Sequence, residues 1–308
     1  MLRRMLLWAS ENTWLRRRLP RLGFVRRAVS RFMPGEDAEA ALAATEALNR
    51  EGLGTVLTLL GENVKDSAEF DGVVQHYAGV IEAIEKRRLD AEISVKLTHL
   101  GLDLDPAMAE ANLSRLCVLA ARHRQDVWVD MEGSAYTQRT LDAFRRVRGA
   151  HGNVGLCLQS YLRRAPADLE SLLPLRPMIR LVKGAYAEPA EIAFPDKKDV
   201  DAAYLSLAQR LLSTAAANGG PREVFGTHDR RLISEIIAWA AEQKIPASAS
   251  EFHLLYGIQR EAQRELAARG HRVRVLISYG TAWFPWYMRR LAERPANLWF
   301  VVRNIIGG

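Results

Sequence analysis

Residues 91–134 read AEISVKLTHLGLDLDPAMAEANLSRLCVLAARHRQDVWVDMEGS, and they supply the unit from which the rest of the chain can be parsed. Two short apolar runs, Ile93 to Leu97 and Val127 to Met131, flank a stretch in which Leu113, Leu116, Cys117 and Ala120 recur at helical spacing. The same alternation extends in both directions. Upstream lies Val56 to Leu60, followed by a helical face of Val74, Tyr77, Ile81 and Ile84. Downstream lie Val154 to Leu158, Ile179 to Lys183, Glu223 to Gly226, Ala247 to Glu251 and Val273 to Ser278. Nearly continuous apolar strands, each followed by a covering helix, imply a parallel sheet buried on both faces. A count of eight favours closure into a (β/α)8 barrel over an open doubly wound sheet. No GxGxxG turn follows the first run, so a dinucleotide-binding open sheet lacks its signature.

A chain of 308 residues is compatible with one such barrel and a leader, which we divide as a basic helical arm over residues 1–45 and a catalytic barrel over 46–308. Its 48% hydrophobic and 26% charged residues match an ordinary globular domain and exclude disordered or disulfide-stapled classes. Cys117 and Cys157, the two cysteines, sit in apolar stretches, and the seven histidines show no i, i+4 pair, so no metal site is expected. The net charge of +7 is concentrated in residues 1–30, where eight arginines face the single acid Glu11. Such a leader can be a targeting peptide, a nucleic-acid arm or a solvated surface helix. The interleaved Trp8, Trp14, Leu15, Leu19, Leu22, Phe24 and Val25 favour an arm that lies on an anionic membrane surface, with no partner role for nucleic acid.

Active sites of such barrels gather at the carboxyl ends of the strands. Polar residues close most of the runs: Glu62, Lys96, Asp130, Gln159, Lys183, Thr227 with His228, and Glu251. One such residue is ordinary, but many charges converging on one mouth need partners, because an unpaired buried charge is costly. Past the last strand, Phe284, Tyr287, Met288 and Leu291 share one helical face, and Trp286, Arg289, Arg290 and Glu293 share the other. Arg289 and Arg290 can clamp a carboxylate in fork geometry, or Arg289 can simply pair with Glu293 on the surface.

Seven ordered segments together resemble the proline dehydrogenase family: SVKLTHLG (94–101), VWVDMEGS (127–134), GLCLQSYLRR (155–164), RLVKGAY (180–186), FGTHD (225–229), EFHLLYGI (251–258) and YMRRLAERPAN (287–297). The resemblance implies a distorted (β/α)8 barrel carrying FAD over the strand ends, with the last helix folded across the mouth. It implies oxidation of L-proline to 1-pyrroline-5-carboxylate, with electrons passed to a membrane quinone. By position it makes Lys96, Arg289 and Arg290 the carboxylate-binding cations, and Leu255 a residue packing on the substrate. Asp130 and Arg180 become the catalytic pair, and Gln159 joins Arg180 at the isoalloxazine. Met131 packs on the flavin, and Lys183, Gly184, Ala185, Thr227 and His228 surround the rest of the cofactor. It further implies a cytoplasmic protein held at the inner face of the cell membrane, whose product goes to a separate pyrroline-5-carboxylate or aldehyde dehydrogenase. Leu276 departs from the family, which usually has a tyrosine there, and the departure opens hydroxyproline or another cyclic amino acid as substrate. Two readings of other classes compete: a Schiff-base aldolase using Lys96 or Lys183, and an inactive barrel acting as a membrane-bound binding protein.

Overall fold

The structure is a computed structural model, and it describes residues 29–61, 67–218 and 222–293 together with Asn12 and Arg18, without the side chains at 67–68, 217–218 and 289–293. Eight parallel strands close on themselves in chain order: β1 (Gly54–Leu59), β2 (Ala91–Val95), β3 (Val127–Val129), β4 (Val154–Gln159), β5 (Met178–Val182), β6 (Glu223–Gly226), β7 (Ser250–Leu255) and β8 (Arg272–Tyr279). The barrel shuts where β8 pairs with β1, Val56 opposite Leu276 and Thr58 opposite Ser278.

Helices α1 (Ala38–Arg50), α2 (Ser67–Lys86), α3 (Pro106–Arg122), α4 (Ser134–Ala150), α5 (Ala165–Leu172), α6 (Lys197–Asn218), α7 (Arg230–Glu242), α8 (Arg260–Ala268) and α9 (Trp283–Glu293) follow the strands or precede the first. The helix α1 packs on β1 and β8 from outside, where its capping Asp37 accepts from the Ala40 amide and Asn49 bonds across to the backbone of Asp90. α9 leaves the carboxyl end of β8 through Gly280, at φ +117. Its buried Trp283 donates to Glu36, and Tyr287 meets Phe32 at 6.1 Å, so the segment entering α1 and the last helix brace each other. Of the apolar face expected on α9, Phe284, Tyr287 and Met288 are buried, while the side chain of Leu291 lies outside the described set. No helix among the described residues is long and apolar enough to cross a membrane.

Strand alternation splits the side chains into two layers of opposite character. The outward layer, with Leu57, Ile93, Val129, Leu156, Leu181, Phe225, Leu254 and Ile277, forms one continuous apolar core against the helices. The inward layer is charged at its amino end. Arg222 reaches Glu92 at 2.6 Å, Asp126 and Glu251 at 3.4 Å; Arg274 reaches Asp90 at 2.7 Å, Glu92 at 3.2 Å and Glu251 at 3.3 Å. Burial, reinforced by the charge of Glu92, pushes Asp126 up to about 6 against the pull of both arginines. Burial would raise Glu251 too, but His253, Arg274 and Arg222 outweigh it and hold that carboxyl low.

Strand β7 departs from the sequence reading. Ala247–Ala249 form a 3-10 turn after Pro246, and the strand begins at Ser250. Small Ala and Ser side chains have little to pack on a sheet, whereas Phe252 and Leu254 fill the outer core, so the strand settles on the latter. Glu251 is therefore the second residue of β7, in the barrel floor and not at the mouth. Removing one partner of a buried ion pair typically costs about 3–5 kcal/mol, because the remaining charge is left uncompensated. Arg274→Met is expected to lower unfolding stability in urea by about that amount; a loss below about 1 kcal/mol would show that the floor does not support the fold.

Candidate active site at the barrel mouth

Three strands deliver one cluster to the mouth. Lys96 follows β2, Asp130 follows β3 and Arg180 lies inside β5. Asp130 accepts from Arg180 Nη2 through one oxygen, which also receives the Ser94 hydroxyl at 2.8 Å, and its other oxygen lies 3.6 Å from Lys96 Nζ. Arg180 Nη2 is bonded to Ser94 Oγ as well, at 2.8 Å. Only 3% of the Arg180 side chain is exposed, yet its Nη1 has no oxygen or nitrogen partner among the described residues. A buried guanidinium with one nitrogen unsatisfied is the kind of group that a ligand completes.

Beside it, Gln159 ends β4 and donates to the carbonyl of Met131 at 3.1 Å, while its buried Oε1 has no partner among the described residues. Leu255 ends β7 with its amide donating to His228 Nε2 at 2.8 Å, which fixes that ring nitrogen as an acceptor. Leu276 is the register neighbour of Leu255 on β8 and is half-buried, so the two leucines line the same side of the interior.

On the far side of β5, Lys183 donates to Asp201 at 2.6 Å and to Asp229 at 2.9 Å, and Lys197 and Arg231 join the same carboxylates. Arg231 pairs with Glu235 as well, at 2.7 Å, so three cations meet three acids. Burial would raise Asp229, but the bonds and charges of Lys183 and Lys197 outweigh it and hold the carboxyl far below the usual range. Asp229 is kept in place by its own amide, which donates to buried Thr227 Oγ1 at 3.1 Å. Gly184 and half-buried Ala185 continue the loop. A Cβ on Gly184 would stand 2.2 Å from the ring of Tyr161, and its φ of +121 suits glycine alone.

The structure thus brings Lys96 and Arg180 onto Asp130, bonds Gln159 to Met131 and Leu255 to His228 at other strand ends, and gathers Lys183 into a second cluster whose Asp229 is bonded to Thr227. Arg289 and Arg290 lie on α9, with side chains outside the described set, and Glu62 falls outside the described residues altogether. Sequence reading missed the supporting groups. Ser94 was hidden as the polar alternate of a β-run, and Asp201 and Asp229 sit on or beside helices far from Lys183 in the chain. Glu132 accepts from the amide and hydroxyl of Thr98, and Glu188 accepts from the amide and hydroxyl of Ser134, tying mouth loops to each other. His99 is buried over Gly61, and burial together with the charges of Lys96 and His76 pushes it down to about 4, so it is neutral at pH 7.

Comparison with known proteins gives the arrangement its context. Residues 41–303 match the family model described as proline dehydrogenase. The chain is 39% identical to proline dehydrogenase 1 of Bacillus subtilis over 307 residues, covering 99% of each, and 38% identical to proline dehydrogenase of Deinococcus radiodurans, covering 90% of each. Among solved structures, proline utilization A from Bdellovibrio bacteriovorus inactivated by N-propargylglycine superposes with a TM-score of 0.81 at 22% identity. It matches over 95% of this chain and 36% of that longer one, a likeness of fold.

Because Gly184 combines a glycine-only backbone with a ring pressed against its Cα, Gly184→Ala is expected to destabilise the protein by about 1–3 kcal/mol in urea titration. A change within about 0.5 kcal/mol, the range of an ordinary surface substitution, would show that the turn relaxes freely.

Proposed function

This chain belongs to the proline dehydrogenase family, and from that premise we propose that it oxidises L-proline to 1-pyrroline-5-carboxylate as an FAD-dependent enzyme. The observation that carries the reading is the Lys96–Asp130–Arg180 cluster with its two unsatisfied neighbours, Arg180 Nη1 and Gln159 Oε1. The donor set fits a flavin. An isoalloxazine edge needs donors for its carbonyl oxygens and ring nitrogens and an acceptor for its imide N–H, and these two orphaned atoms are one of each kind. Lys183 and Lys197 are the cations a diphosphate would meet after β5, and Gly184 and Gly226 lack side chains beside them. When bound, FAD supplies the two-electron acceptor for the hydride that leaves C5 of proline.

The chain's own residues do the rest. Lys96, with Arg289 and Arg290 contributed by α9, holds the substrate carboxylate and so fixes which ring carbon faces the cofactor. Held in near-attack geometry, a reaction can gain up to about 7–11 kcal/mol over free encounter. Asp130 keeps Lys96 and Arg180 at fixed separation and is itself held by Ser94. Met131 and Leu255 offer apolar surface to the cofactor and the substrate ring, Gln159 and Arg180 the polar edge, and Ala185, Thr227 and His228 the neighbourhood of the phosphate and ribose. The eight arginines of residues 1–30 support peripheral attachment to the inner face of the cell membrane, where a quinone would take the electrons. The product ring opens by hydrolysis to an aldehyde, which calls for a separate aldehyde dehydrogenase.

A second substrate has a specific observation behind it: Leu276 stands beside Leu255, where the family usually has the larger tyrosine, so a substituted ring such as that of hydroxyproline would find more room there. An anaerobic visible spectrum of the purified protein distinguishes the two. Flavin bands that bleach with L-proline support the proposal, and bleaching with hydroxyproline alone moves the substrate. A colourless protein that cannot be reconstituted with FAD contradicts the oxidoreductase reading.

A further inference from the structure

Trp128 on β3 points into the barrel at the level where the ionic floor gives way to the mouth. Its surroundings are built around it. The indole Nε1 donates to Glu92 Oε2 at 2.6 Å, and the imidazole of His253 packs with the ring in a T-shaped arrangement, centroids 5.7 Å apart and planes at 74°. Strand β4 carries Gly155 alongside, where a Cβ would stand 2.6 Å from indole Cε3, so the neighbouring strand gives up its side chain to admit the ring. Arg222 from the floor lies over the indole at 5.8 Å, and Arg180 from the mouth lies over it at 5.2 Å, both within cation–π range.

The polar bonds of Arg180 leave a degree of freedom that this stacking removes. Ser94 and Asp130 both engage the same nitrogen, Nη2, and the Cys157 thiol opposite on β4 adds only a weak sulfur acceptor. A planar guanidinium held by one corner can pivot about that corner, and its Nη1 would then sweep across the mouth. We propose that Trp128 is a positioning residue, whose indole face holds the Arg180 guanidinium so that the unsatisfied Nη1 is presented to the flavin. The inference rests on the reading of Arg180 as a flavin neighbour. A fixed positive donor beside the flavin favours its reduced, more anionic form, and a pivoting one does so less. The indole is itself anchored through Glu92 to Arg222 and Arg274, so the floor sets the electrostatics of the mouth without touching a ligand.

The test is the midpoint potential of protein-bound flavin in Trp128→Leu and Trp128→Phe, each made in the wild-type chain and with Arg180→Met. Trp128→Leu removes the π face and is expected to weaken the preference for reduced over oxidised flavin about tenfold, equal to about 30 mV for a two-electron couple. Trp128→Phe keeps a weaker face and should shift the potential in the same direction by less. With Arg180→Met present, neither substitution should add a shift, because the residue through which Trp128 acts is gone. A wild-type potential in both single variants, or the same shift in the Arg180→Met background, would overturn the assignment and reduce Trp128 to filling. If Trp128→Leu does not fold, Trp128→Phe decides by the same criterion. A wild-type protein that takes up no flavin fails at the earlier step and overturns the proposed function together with this one.

Discussion

One carboxylate governs the mouth of this barrel. Asp130 is shared by Lys96 and Arg180, and two cations this close would repel each other without it. A carboxylate drawn out of water is costly unless compensated, and the compensation for half-buried Asp130 on β3 comes from two other strands, β2 through Ser94 and Lys96 and β5 through Arg180. The cluster can exist only if β2, β3, β4 and β5 are neighbours in that order, as in the closed barrel. Fold and site are therefore one constraint: the parallel register sets the depth of each charge, and the charges occupy the end of the barrel where loops can bring a ligand.

The interior below is also charged, which is unusual for a space normally filled by branched aliphatic side chains. Arg222, Arg274, Glu92 and Glu251 neutralise one another at the amino end, and Val56, Met178 and Val224 pack with Trp128 into a small apolar cluster that Leu276 adjoins. Burial lowers the His253 imidazole against the pull of Glu251, which its Nε2 meets at 2.6 Å. The dispersion and hydrophobic contribution to stability thus falls mainly on the outer layer between strands and helices. This division leaves the interior free to be electrostatic, with a structural floor and a functional mouth separated by one indole.

Much of this was legible in the sequence. Val154 to Leu158 is apolar throughout because its strand is buried on both faces, Ile93 to Leu97 is apolar at its outward positions, and the observed strands begin or end within one or two residues of both runs. β7 was misplaced because its outward residues are only Phe252 and Leu254, with Glu251 before them and His253 between them, so polar inward residues broke the apolar run that marks a strand. The residues at the mouth were legible one by one, since a polar side chain closing an apolar run stands out. Their partners were not. Asp201 and Asp229 pair with Lys183 across 18 and 46 residues, and Arg222 with Glu92 across 130, separations that only closure of the barrel brings together. Trp128 read as one more apolar strand residue, and its inward direction becomes evident only from Gly155 and Glu92.

The account stands or falls on Asp130 as the group that fixes both cations. Anaerobic stopped-flow reduction of Asp130→Asn by L-proline, monitored at the flavin band, separates substrate binding from the hydride step. We expect the apparent Kd for proline to rise, because Lys96 loses its anchor, and the limiting reduction rate to fall at least about tenfold, the equivalent of ~1.4 kcal/mol of misplaced geometry. Wild-type values of both constants in Asp130→Asn would contradict the central claim and show that the cations are held by something other than the carboxylate between them.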